Sequence, residues 1–214
     1  MKMKKIIALL MALTMLAVVG AAAAETLDFV PGAPTTCPFA GFQTYFTALA
    51  GASGYAFTCD AEPAEEDAYT VYTAVSEDET LKVGVYVQDD NVVFIQAEGA
   101  ISLDITDTAA AQKFGEWFGV SISGGVLGMA LGTGDTSVLQ DPELETKLQE
   151  DIKPLVYILE NDFNEKTLAE GKAAVSTVYG YPCGLEVSGS TDGETVLLAM
   201  KIIVSGPEGQ ISVK

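Results

Sequence analysis

The chain has 214 residues, of which 11 are basic and 30 acidic, for a net charge of −19. All 11 basic residues are lysine; there is no arginine and no histidine. This composition excludes guanidinium phosphate clamps, Ser-His-Asp and Cys-His catalysis and histidine-ligated zinc built from this chain alone. A field of this sign also repels nucleic acid and anionic membrane surfaces, so neither is expected as a partner.

The first element is a secretory signal. Met1 to Lys5 form a basic n-region, Ile6 to Val19 an apolar stretch without charge, and Ala22 and Ala24 fit the small-x-small pattern of a signal peptidase site, with the cut before Glu25. The apolar stretch is shorter than the ~20 residues a membrane span needs. Residues 1–24 are therefore read as a signal peptide and 25–214 as a single, secreted domain. From Glu25 onward, eight lysines stand against 30 acids, a net charge of −22.

Within that domain, Phe39, Phe42, Phe46 and Leu49 recur at helical spacing between Pro38 and the glycines from Gly51 to Gly54. Tyr69 to Val75, Leu81 to Val87 and Val92 to Ala97 alternate as strands, with Asp89-Asp90-Asn91 as a hairpin turn between the last two. A turn or bulge is expected at Gly99, followed by further alternation at Ile101, Leu103 and Ile105. Thr106 to Thr108 cap a second helix that turns Ala110, Phe114, Trp117 and Phe118 inward.

Asp141-Pro142-Glu143 opens a third helix with Leu144, Leu148, Ile152, Leu155 and Leu159 on one stripe, which Pro154 should kink or split. Two final strands, Lys172 to Val187 and Glu194 to Val204, flank an Asp192-Gly193 hairpin signal. Helix, strands, helices and strands in that order predict an α+β fold: an antiparallel sheet with helices packed on it.

Chemistry-bearing signals are sparse. The acidic runs Glu62 to Asp67, Glu77 to Glu79 and Asp89-Asp90 read as solvated turns, and none has the ligand spacing of a calcium loop. No S-x-x-K nucleophile occurs after the signal peptide, and Lys82 and Lys201 lie within strands. The uncharged, glycine-rich stretch from Trp117 to Gly134 has no phosphate-loop spacing; it reads as a buried connector or tightly packed helix, or else as an apolar partner surface carrying Val126, Leu127 and Met129. Tyr72 and Tyr86 alternate with smaller residues and are candidates for a ligand-facing sheet surface. No cofactor, metal or catalytic residue is assigned.

Three cysteines follow the signal peptide, and export permits a disulfide. A helix from Cys37 to Gly51 and a returning strand to Cys59 have arms of similar length, ~21 Å and ~17 Å, which predicts a Cys37–Cys59 pair and leaves Cys183 as an inert free thiol. The function expected by elimination is non-catalytic binding of an extracellular protein or small ligand. The alternative is a carboxylate-dependent extracellular hydrolase of the glycosidase type, in which two of the 30 acids face a cleft.

Overall fold

The computed structural model describes residues 24–52, 57–66, 69–76, 80–104, 108–161, 165–191 and 195–214. The signal segment before Ala24, the caps at 106–107, the acidic turn at 77–79 and the Asp192-Gly193 turn lie outside the described residues, as do the side chains of the 62–66 acidic run and of Ala110.

The chain forms β1 (Leu27–Val30), α1 (Phe39–Ala52), β2 (Phe57–Glu66), β3 (Tyr69–Ser76), β4 (Leu81–Gln88) and β5 (Asn91–Asp104). A helical run follows, with α2 (Thr108–Gly119), a π-helical turn (Val120–Gly124) and α3 (Gly125–Gly132). Then come α4 (Leu144–Asn161), α5 (Glu165–Glu170), β6 (Lys172–Val178), β7 (Tyr181–Thr191), β8 (Thr195–Ser205) and β9 (Gln210–Val213). Strands β2 to β8 make one seven-stranded sheet in the order β2-β3-β4-β5-β8-β7-β6, and β1 pairs with β9 in a separate two-stranded ribbon. Every pairing is antiparallel, and the fold class is α+β as the element order predicts.

One face of the sheet carries the helices. Leu81, Val83, Val85 and Val87 of β4 are buried on it while the residues between them are not, the period-two signature of a strand covered on one side. Phe42, Phe46 and Ala50 of α1 and Phe114, Trp117 and Phe118 of α2 close over that layer. Helix α3 is buried on nearly every side, with Val126 and Met129 at 0 % exposure. Its glycines make this possible: a methyl at Gly128 would meet Phe42 at 2.9 Å, and one at Gly132 would meet Cys37 Sγ at 2.5 Å. By length and composition Gln112–Gly132 is apolar enough to cross a membrane, but 67 % of its window is buried inside the domain, as in a core helix.

Several local expectations change. Gly99 makes no turn: β5 runs through it in register with Leu81 and Met200, and the glycine serves close packing, since a Cβ there would strike Leu81 and crowd the Trp117 ring at 3.3 Å. Pro154 does not split α4: it is exposed, so the carbonyl it deprives of a partner lies on the water side. The single strand expected from Lys172 to Val187 is two, because Tyr179 (φ 50°) and Gly180 (φ 87°) form a left-handed turn between β6 and β7. The Asp89-Asp90 turn holds as expected, with φ of 52° and 62°.

Candidate functional site

The opposite face of the sheet is covered only in part. The β1–β9 ribbon lies across one end of it, where Phe29 meets Phe94 edge to face at 4.8 Å. Tyr86 belongs to this end, stacked on Phe94 at 4.2 Å with Tyr69 at 6.1 Å. Lys214 helps close the ribbon: its N–H donates to Thr26 O at 2.9 Å, and its Nζ pairs with Asp28 at 2.8 Å.

Beyond the ribbon the face is uncovered among the described residues, and the register puts one charged side chain from each of four adjacent strands on a single line. Lys82 of β4 is opposite Glu98 of β5, Glu98 opposite Lys201 of β8, and Lys201 opposite Glu186 of β7. Positive and negative thus alternate at strand spacing, ~4.8 Å. The next line along the strands is small: Ala100 opposite Ala199, and Ala199 opposite Ser188, with Thr80 O accepting from Ala100 N at 3.1 Å. Past that comes Leu197, 49 % exposed, between Ser102 and Ser190. Charged row and small-residue floor together line a concavity of about 520 Å³.

The two carboxylates are drawn toward the ribbon. Glu98 Oε1 accepts from Gln96 Nε2 at 2.7 Å, and Glu186 Oε2 accepts the Leu27 N–H at 3.1 Å where β1 begins. Lys172 and Glu25, 2.8 Å apart, brace the same edge, and the hydrogen bond from Lys172 holds the Glu25 carboxyl below its ordinary pKa.

The residues singled out in the sequence are dispersed. Tyr72 is on the helix side, stacked on Phe39 at 3.7 Å, so Tyr72 and Tyr86 sit on opposite faces of the sheet. Val126 and Met129 are core, and Leu127 is half-buried beside them, so the uncharged stretch is largely a packed helix. Among the described residues, no group of three or more Cys, Asp or Glu could hold a metal ion.

No disulfide is present among the described residues. Cys37 is a buried free thiol 3.8 Å from Gly128 O, and Cys183 is likewise buried and free. The expected Cys37–Cys59 pair does not form, because β2 does not return beside Cys37. Cys59 is level with Ala74, Val83 and Ala97, whereas Cys37 O accepts from Val92 N three strands away and five residues along. Three strand spacings and five residues amount to roughly 20 Å, against the ~5.5 Å Cα separation of a disulfide. Burial pushes the Cys37 thiol up to about 11 and raises Cys183 as well, which favours the protonated thiol of both at neutral pH.

Lys82 and Lys201 are legible as strand residues in the sequence, but no local pattern aligns them. The two residues are 119 positions apart in the chain and become near neighbours only because β5 pairs with β8. Compared with known proteins, the chain matches no family model, no curated protein and no solved structure.

Proposed function

We propose that this is a secreted, non-catalytic binding protein that holds its ligand on the uncovered face of the sheet. The observation that carries the reading is the groove itself: a sheet whose described helices pack on the other face, and a row of four charged side chains beside a floor of alanine and serine. Its volume falls in the ~300–1,000 Å³ range of small-molecule sites. The N-terminal sequence supports export, and the strong negative charge suits a soluble extracytoplasmic domain.

A hydrolytic reading has one observation in its favour. Glu98 and Glu186 face the same groove two strand spacings apart, ~9.6 Å, close to the upper limit for an inverting pair. Against it, Lys201 stands between them, Glu98 is exposed and Glu186 is half-buried, surroundings unlike the apolar pocket a glycosidase acid occupies.

Native mass spectrometry of protein purified from culture medium, followed by amide NMR with any co-purified molecule, tests the proposal. Bound mass with shifts confined to the groove supports it. Turnover of a glycan panel that is lost in both Glu98→Gln and Glu186→Gln would replace binding with hydrolysis.

A further inference from the structure

Most described lysines in this acidic chain have found a partner. Lys147 pairs with Asp141 and Glu143, Lys153 with Glu150, Lys172 with Glu25 and Lys214 with Asp28. Lys82 and Lys201 differ: among the described residues neither makes an ion pair or a hydrogen bond, though each has a glutamate as cross-strand neighbour. With 30 acids to 11 lysines, leaving two ammonium groups unpaired on the same open face is a distinctive arrangement.

We infer that the groove binds an oxyanion, the carboxylate or phosphate group of a small molecule, between Lys82 and Lys201. This rests on the binding reading above and specifies its ligand. The carboxylates of Glu98 and Glu186 are held on the ribbon side by Gln96 and by the Leu27 N–H. The floor of Ala100 and Ala199 lies on the other side, where neither small side chain obstructs the approach of an anion. The two lysines flank β5 at ~9.6 Å, a separation two long, flexible ammonium side chains can close around one anionic group. The Ser188 hydroxyl at the edge of the floor adds a neutral donor. Glu98, opposite both lysines, and Glu186, opposite Lys201, together with the excess of acids elsewhere weaken binding of any free anion, so recognition depends on direct, charge-assisted hydrogen bonds from both lysines and not on a long-range field.

Amide NMR of the purified protein, titrated separately with sodium citrate, inorganic phosphate and choline chloride at constant ionic strength, tests this. Citrate or phosphate should shift amides at 80–82, 98–100 and 199–201, with dissociation constants of ~1 mM or tighter. The tighter of the two identifies the carboxylate or the phosphate source, and choline should shift nothing there. Lys82→Gln and Lys201→Gln, both changes at solvent-accessible strand positions, should each weaken binding roughly tenfold while leaving the remaining spectrum in place. No shift in the groove with either anion up to ~20 mM, in a folded sample, overturns the inference. If choline or a co-purified neutral molecule shifts the groove amides instead, the oxyanion is wrong and the binding site stands. If co-purified ligand shifts only helix-layer amides, both fall.

Discussion

Gly41 of α1 and Gly132 of α3 touch backbone to backbone: a methyl on Gly41 would sit against the Gly132 carbonyl oxygen, and one on Gly132 would come within 2.7 Å of Phe42 N. This contact lets α1 lie close on α3 and seals the helix layer that leaves the other face of the sheet as the open one. Gly41→Ala and Gly132→Ala should each destabilise the domain by ~2–4 kcal/mol, because neither helix can yield without moving backbone. Gly134→Ala is the control: it has a left-handed φ of 88° and open space around it, so only the ~1 kcal/mol backbone cost applies. Urea unfolding of the three variants gives the comparison, and equal losses at all three positions would contradict the packing argument.

The buried thiols predict a loss of stability in alkali. Burial raises Cys37 from 9.0 to about 11, so the unfolded chain releases this proton before the folded one does. The stabilising contribution is complete below about pH 9 and disappears as pH rises through about 11. Cys183 acts in the same direction. Denaturation midpoints at pH 8 and pH 10.5 should differ, and less so in Cys37→Ala. Thiol titration without reductant should find Cys37 and Cys183 unreactive when folded and reactive in denaturant.

Deleting residues 210–214 removes β9 and the partner of β1. Hydrogen exchange at Asp28 and Val30 should then rise to the rate of an unprotected segment, because the pair of bonds between Thr26 and Lys214 puts the N–H groups of alternate residues 28 and 30 in the ladder with β9, whereas the Leu27 N–H is held by Glu186. Protection in α3 should persist, since it packs on the other side of the sheet. Unchanged exchange at Asp28 and Val30 would mean the ribbon is not closed by β9.

Asp141 caps α4 through its Oδ1, which accepts from Glu143 N at 2.9 Å, while its Oδ2 accepts from Lys147 at 2.8 Å and from Tyr179 Oη at 3.3 Å. These bonds, chiefly the one from Lys147, hold its pKa below the ordinary 3.8. A depressed carboxylate stabilises the fold above its unfolded pKa and ceases to as pH falls through the folded value. Asp141→Asn should therefore lower the melting temperature at pH 7, with the difference from wild type shrinking below about pH 3.8. A difference that stays constant with pH would show that the charge is not involved.

The signal-like sequence of residues 1–24 predicts an N-terminus at Glu25 after processing. N-terminal sequencing of protein from the medium should read Glu25-Thr26-Leu27, and intact Met1 in membrane extracts would refute processing at this site.

Most of the secondary structure was legible in the sequence because it rests on short-range rules. The Phe39-Phe42-Phe46 spacing, the Leu81 to Val87 alternation, the Asp89-Asp90 turn and the Asp141 cap each depend on residues within a few positions of one another. Gly99 and the Tyr179-Gly180 turn were misread because glycine has two uses, conformational freedom and close approach, and only neighbours distant in sequence tell them apart. The Cys37–Cys59 pair failed for a related reason: arm lengths follow from local geometry, but which strand lies beside which does not.

By itself the sequence determined the chemistry on offer, lysine and carboxylate without histidine or arginine, and the α+β class that its alternating and helical patterns require. Only the tertiary structure decided where that chemistry gathers. The pairing of β5 with β8 is a non-local choice, made by burial of Ile95, Ala97, Ile202 and Val204 beneath the helices. Because side chains alternate along a strand, that same burial turned Glu98 and Lys201 outward, onto the one face the helices leave open.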